Sequence, residues 1–250
     1  MGSGSGVAAI IYLGEQGIEY GGGFGLYMIQ YALHKISIAL FSAIFFVMNW
    51  EFMRNWFGDY AGLLAAGYAL TLVITLGLFL FCCSNRFHHL ICRLLDFANQ
   101  KFHGKFEIMA EEIKRQCMML EDASNHLMKN KKVTTEVIFL CLLKCCFWYG
   151  IPYLLFKGVQ FQGNPALSLS QVLAITSLSV MLAAVIPSPA GIGSTEFVFT
   201  TLFAGIVGTG IAGSASLLYR FGTFVFPFLV GAVVVLVRHF KRKKLSSGSI

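Results

Sequence analysis

Charge is scarce in this sequence. Only 12% of its 250 residues are charged, and 56% are hydrophobic, whereas a soluble domain carries about 25% charged residues. The shortage excludes an ordinary soluble globular domain, because no single soluble core could bury so much apolar surface. We therefore expect an all-α fold, a polytopic bundle of transmembrane helices in which each crossing needs roughly 20 apolar residues.

Signatures of common enzymes and metal sites are missing as well. The sequence has no phosphate-binding P-loop, zinc-protease helix or serine elbow. Cysteine and histidine cluster at 82–92, but without the paired Cys-x-x-Cys spacing of structural zinc sites. We expect no metal, no cofactor and no disulfide framework. Residues 1–20 lack the positive opening of a secretory signal, and we expect them to form a flexible N-terminal segment.

Long apolar runs dominate the remainder. The clearest is Tyr60–Cys83, which contains no charged residue and would extend about 36 Å as a helix, enough to cross a bilayer. Trp50, Trp56 and Tyr60 precede or open this run, as aromatic residues do at membrane boundaries, and they favour a tight hairpin there. The other apolar runs cover residues 26–50, 133–159, 169–186, 195–208 and 211–237.

Positive charge is concentrated in two polar stretches, and the net charge is +7. Residues 84–132 form a basic segment with the apolar spacing of an amphipathic helix, and 238–250 form a basic tail. Basic flanks favour the cytoplasmic side, and their placement suits anionic lipid rather than nucleic acid. If both stretches are cytoplasmic, residues 169–208 must either cross the membrane twice or enter and return on one side.

The apolar sequence is broken between 169–186 and 195–208 by prolines and glycines. Non-helical backbone at membrane depth is tolerated only where it is buried in protein or lines a wet cavity, and such interruptions mark transporter-type binding sites. Glu196 follows the break. An unpaired charge in a helix centre costs about 2.5–3.5 kcal/mol, so we expect Glu196 to pair with Arg220 or Lys144. The alternative is a plain helix break, with Glu196 in water at its mouth.

Residues 186–197, of sequence IPSPAGIGSTEF, are followed by Tyr219 and Arg220 and then by Pro227 and Gly231. This pattern resembles the lysylphosphatidylglycerol synthase transmembrane, or flippase-like, family. The resemblance covers roughly residues 21–238, within one flippase-like transmembrane domain expected at 21–250, and its specific part lies in 187–197 and 219–231. Ala190 stands where the family often has glycine. Family members generally have further helices before the glycine-rich entry at 21–23, so we expect a truncated or divergent member.

The resemblance implies a multi-pass protein of the bacterial cytoplasmic membrane. Such a protein would flip an aminoacylated phospholipid such as lysylphosphatidylglycerol and contribute to resistance to cationic antimicrobial peptides. Glu196 would engage a cationic headgroup, while Arg220 would engage phosphate or neutralise Glu196. The residues expected to bind or translocate the lipid are Pro187, Pro189, Gly191, Gly193, Glu196, Tyr219, Arg220 and Lys144.

Two other functions are open at this stage. The family name suggests a phosphatidylglycerol lysyltransferase, which would take lysine from lysyl-tRNA, but the one sizeable polar stretch, 84–132, is too small to hold that activity. The chain would alternatively be an accessory subunit without activity of its own, assembled with a separate synthase or with copies of itself. In every case the expected partner is a membrane phospholipid, anionic or aminoacylated.

Overall fold

The computed structural model of the chain is a bundle of α-helices. It describes residues 3–15, 17, 20–58, 60–83, 130–158, 167–186, 188 and 191–247, with the isolated positions 93, 111, 115 and 118. These residues are helical almost throughout and include no β-strand. The expectation of an all-α helical bundle is therefore confirmed over the described part of the chain.

The described helices fall into two groups along the chain. The first group consists of α1 (Ser3–Glu15), α2 (Tyr20–Met48), α3 (Trp50–Phe57) and α4 (Tyr60–Cys83). The second group consists of α5 (Lys131–Gly158), α6 (Leu169–Ala183), α7 (Ser194–Val207), α8 (Thr209–Arg220) and α9 (Phe226–Ser247). A π-helical turn, Phe221–Val225, joins α8 to α9, so these two elements form one continuous rod.

Four helical stretches of the described chain are long and apolar enough to cross a membrane. They are Gly23–Met48, Tyr60–Gly77, Lys131–Gly158 and Thr209–Val237, and they coincide with four of the predicted runs. Pro152 lies inside the third of these, an uninterrupted α5. Neighbouring helices of a membrane bundle can satisfy the backbone group that a proline leaves without its bond, and Pro152 is buried among them.

The predicted broken hairpin is formed by α6 and α7. These helices contain 15 and 14 residues, so each is only about 21–22 Å long, shorter than a hydrocarbon layer of about 30 Å. They pack against each other, and their lengths favour a hairpin that enters and returns. A capping box starts α6: Ser168 Oγ accepts from Gln171 N, and Gln171 Oε1 accepts from Ser168 N at 2.8 Å.

Helix α6 lies at the centre of the bundle. Val172, Ile175 and Leu178 are completely buried, and the helix contacts α2, α4, α5 and α7. A helix that is apolar on all sides belongs in the middle of a packed structure.

At the far end of the hairpin, α7 and α8 are joined by the single residue Gly208, whose φ of 83° is easily adopted only by glycine.

Two short helices lie in the N-terminal half. The segment 1–20, predicted to be flexible, includes α1, which packs on α2 so closely that Leu13 lies 3.5 Å from where a Cβ on Gly23 would stand. The tight hairpin expected near Trp50 is the short helix α3, with Met53 buried and Trp56 partly exposed. Both are short helices, and helices of this length are stabilised mainly by packing on a neighbour.

The predicted cytoplasmic amphipathic segment, 84–132, lies outside the described residues except for its last three and the isolated positions. Of the basic tail, 238–250, the backbone is helical to residue 247.

Candidate functional site

The break between α6 and α7 is shaped by glycine backbone. Gly191 and Gly193 have φ values of 70° and 84°, a region that other residues rarely adopt. The Gly191 N–H donates to Ser188 O at 3.2 Å, and the hydroxyl groups of Ser188 and Ser194 are 2.6 Å apart. A Cβ on Gly191 would lie 3.1 Å from Thr195 Oγ1 and 3.5 Å from the Arg220 guanidinium. Glycine at 191 therefore supplies both the turn and the space beside Arg220.

Glu196 is held from two sides in the first turn of α7. Its Oε2 accepts from the Gly193 N–H at 2.8 Å, which satisfies one of the unpaired donors at the helix N-terminus. A carboxylate in this position also interacts favourably with the helix dipole. Its Oε1 lies 3.0 Å from Arg220 Nε, and the Glu196 and Arg220 side chains are 23% and 17% exposed. Both carboxylate oxygens thus have a partner within the protein.

Arg220 is the last residue of α8, directly before the π-helical turn. Its guanidinium carbon lies 4.7 Å from the centre of the Phe224 ring, a residue of that turn, and such contacts stabilise a cation. Thr223 Oγ1 donates to Tyr219 O at 2.8 Å across the same region. Single π-helical turns inside membrane or soluble helices occur frequently at functional sites. Here the turn brings an aromatic face next to the arginine.

A cavity of about 240 Å³ lies beside this ion pair, between α2, α5, the start of α7 and the end of α8. Arg220 lines it together with Lys35 of α2 and Lys144 of α5. Lys144 Nζ lies 4.4 Å from the centre of the Trp148 ring, and Lys35 Nζ lies 5.6 Å from that of Tyr31. Lys35 and Lys144 stand near the middle of their helices, so the cavity is at membrane depth.

The structure brings most of the predicted site residues to this region. Gly191, Gly193 and Glu196 meet Arg220 at the break, whereas Tyr219 and Lys144 line the cavity. Of the two partners expected for Glu196, Arg220 forms the ion pair, while Lys144 lies over an aromatic ring. The remaining two site predictions, Pro187 and Pro189, lie outside the described residues.

Tyr219 has a packing role at the same place. It is buried and stacks on Phe199 of α7, with 5.5 Å between ring centres and 15° between their planes. Phe199 in turn contacts Phe203 one turn later, with 4.5 Å between ring centres. This aromatic row fixes α8 against α7 and so fixes the position of Arg220 relative to Glu196.

Two cavity residues, His34 and Lys35, were not predicted as site residues. Both lie inside the apolar run 26–50. Lys35 lies roughly 20 Å along α2 from either end of that helix, too far for its side chain to snorkel to the interface. A charge in the middle of a span that faces the protein interior is the signal that identifies such residues.

Within the part of the chain that the structure describes, no group of three histidine, cysteine, aspartate or glutamate side chains is placed to hold a metal ion. Cys141, Cys145 and Cys146 are free thiols. The chemistry available at the site is therefore that of an ion pair and of cationic side chains in a small cavity.

One family model matches most of the chain. The family is described as the lysylphosphatidylglycerol synthase TM region, and the match covers residues 1–231. It begins at residue 1 and not at residue 21, where the resemblance was expected to start, so α1 lies within the matched region. No curated protein and no solved structure matches the chain at a significant level. The chain is a multi-pass membrane protein, and it belongs to the lysylphosphatidylglycerol synthase transmembrane family.

Proposed function

We propose that this protein binds and translocates a phospholipid, of the aminoacylated class represented by lysylphosphatidylglycerol, across the bacterial cytoplasmic membrane. Its family supports a role in the synthesis or flipping of that lipid. An increased supply of aminoacylated lipid to the outer leaflet would make the cell surface less negative, and this would contribute to resistance to cationic antimicrobial peptides.

The observation that carries the proposal is the Glu196–Arg220 ion pair beside a cavity at membrane depth. Charged side chains in transmembrane segments are costly, and they usually mark the path of a substrate. The pair stands where a short helical hairpin is interrupted, which is where many transporters bind their substrates. The cavity of about 240 Å³ would hold several water molecules at roughly 30 Å³ each, or a small polar headgroup.

The two charged residues have different tasks in this proposal. Arg220 lines the cavity and is the member of the pair that a lipid headgroup there can contact. Glu196 does not line the cavity, and its contacts with Gly193 N–H and Arg220 Nε hold the arginine at the end of α8. Of the two roles expected for Arg220, neutralising Glu196 is the one that the 3.0 Å contact supports.

Translocation is tested in vesicles containing the purified full chain and lysylphosphatidylglycerol in both leaflets. A membrane-impermeant amine reagent labels only lipid in the outer leaflet. Protein-free vesicles should stop reacting once that leaflet is consumed, whereas vesicles with the protein should go on to react as inner-leaflet lipid crosses. The Arg220→Ala variant should return the reaction to the protein-free level.

Glu136→Gln is the matched control for Glu196→Gln, because Glu136 is an exposed residue near the start of α5, outside the site. We expect Glu136→Gln to translocate like the native protein and Glu196→Gln to be slower. Equal labelling with and without correctly folded protein would contradict the proposed function. Normal translocation by Glu196→Gln would remove the ion pair from the mechanism.

A further inference from the structure

The charges that line the cavity are all of one sign. Lys35, Lys144 and Arg220 contribute their cationic groups, with His34 beside them. None of the described residues that line the cavity is an aspartate or a glutamate. The acid next to it, Glu196, directs its oxygens to Arg220 and to the Gly193 N–H and does not reach the cavity wall. The cavity is therefore suited to an anion and poorly suited to an ammonium group.

We propose that this cavity is an anion site that recognises the phosphate of a phospholipid headgroup, and not the amino group that aminoacylation adds. This inference rests on the proposed function, because it names the part of the lipid that the same site binds. An aminoacylated lipid enters by its phosphate, but its ammonium groups meet the lysines at close range. Unmodified phosphatidylglycerol, which has the phosphate alone, binds more tightly.

The two lysines have a feature that a purely structural role does not explain. They come from helices α2 and α5, far apart in the sequence, yet they face one cavity. Lys35 lies over the ring of Tyr31 and Lys144 over that of Trp148, and none of the carboxylates in the described part of the chain forms an ion pair with either lysine. Two like charges near each other repel in a medium of low dielectric. A bound anion would relieve that repulsion.

The donors that face the cavity match the chemistry of a phosphate. Each lysine ammonium offers three rotatable N–H donors and acts as a point charge, while the arginine guanidinium offers a planar fork. Hydrogen bonds from such cations to phosphate oxygens are about twice as strong as those between neutral groups. Thr195 and Thr223 also line the cavity, and a threonine hydroxyl can accept a hydrogen bond from the glycerol part of the headgroup.

The size of the cavity limits what can enter it. About 240 Å³ corresponds to roughly eight water molecules at 30 Å³ each, which is enough for a phosphate with a small alcohol. Two acyl chains cannot fit in the same space, so they stay in the surrounding lipid. Recognition of the phosphate therefore fits a lipid whose headgroup alone is inside the protein.

The test is equilibrium binding of short-chain ligands to the purified full chain in detergent, measured by titration calorimetry. The ligands are dioctanoyl phosphatidylglycerol, its lysyl ester, dioctanoylglycerol without phosphate, and inorganic phosphate. We expect phosphatidylglycerol to bind at least fivefold more tightly than the lysyl ester, and dioctanoylglycerol to give no heat. Inorganic phosphate should bind more weakly than the lipid. Phosphate binding as tightly as the lipid would overturn the assignment to a headgroup.

Charge-removing variants identify the cavity as the site. Lys35→Gln and Lys144→Gln should each weaken phosphatidylglycerol binding about tenfold, as expected for the loss of one charge-assisted contact. Lys144→Arg should keep most of the affinity, which shows that a loss in Lys144→Gln reflects charge and not misfolding. Lys157→Gln, at an exposed position near the end of the same helix, is the matched control and should bind normally.

Tighter binding of the lysyl ester than of phosphatidylglycerol, or unchanged binding in both glutamine variants, would overturn the inference. Its failure is separable from that of the proposed function, since binding and translocation are measured independently. Selective binding of phosphatidylglycerol without translocation would support the anion site and contradict the proposed transport. Translocation together with tighter binding of the lysyl ester would support the proposed transport and contradict the anion site.

Discussion

The Glu196–Arg220 pair gives the sharpest test of how the site is held together. At 3.0 Å and an effective dielectric of about 20, two unit charges attract by roughly 5–6 kcal/mol. Desolvation offsets much of that, and removing one partner of a buried pair costs about 3–5 kcal/mol. Because the two side chains are 23% and 17% exposed and adjoin a cavity, we expect a cost at or just below the lower limit of this range, about 2–3 kcal/mol.

The perturbation is a double-mutant cycle of Glu196→Gln and Arg220→Met. Each single variant should lose about 2–3 kcal/mol of unfolding free energy, measured by titration with SDS in mixed micelles, because each leaves one charge without its partner. The double variant leaves neither charge behind, and the glutamine oxygen can still accept from Gly193 N–H. It should therefore be at least as stable as either single variant, which gives a coupling energy of about 2 kcal/mol or more.

Additive losses in the double variant would refute this reasoning. They would mean that the carboxylate and the guanidinium each have a separate role in stability, and that the 3.0 Å contact does not connect α7 to the end of α8. A coupling energy near zero, with both single variants as stable as the native protein, would have the same meaning.

Three further changes test the elements around the site by the same SDS titration. Gly191→Ala should lose about 1–2 kcal/mol because alanine is strained at a φ of 70°, whereas Gly77→Ala, in open space within α4, should be neutral or slightly stabilising. Phe199→Ala should lose about 3–5 kcal/mol, as for other fully buried aromatic residues, and native stability would contradict its packing on Tyr219. Ser168→Ala should lose about 0.5–2 kcal/mol because the cap of α6 is lost, whereas Ser168→Asp should retain most of the stability that the cap contributes.

Much of the fold follows from the sequence because the signals are local. A run such as Tyr60–Cys83, without charge over its whole length, predicts a spanning helix directly. The prolines and glycines after residue 186 predict a break, and among the described residues between Ala183 and Ser194 only Gly191 lies in a helical turn. Such features depend only on neighbouring residues, so composition and spacing are sufficient.

The pairing of charges depends on contacts between helices, so it is harder to predict from the sequence. Arg220 and Lys144 were equally eligible as partners of Glu196, since each is a single charge in an apolar run. What decides between them is that α7 and α8 are consecutive and packed together through Phe199 and Tyr219. To predict that Lys35 and Lys144 share a cavity, one would also need to know how α2 and α5 are rotated about their axes. Hydrophobic periodicity does not give this rotation for helices that are apolar on nearly every face.

Gly208 joins α7 and α8 at one end of a helical hairpin. Glu196 and Arg220 are each twelve residues from this glycine, so they meet at the end of the hairpin opposite Gly208. The joint itself is short and hydrogen-bonded, with Gly208 N donating to Ala204 O and Ala212 N donating to Gly208 O. An anion in the cavity would compete with Glu196 for Arg220. Binding of a headgroup would therefore weaken the contact between the start of α7 and the end of α8.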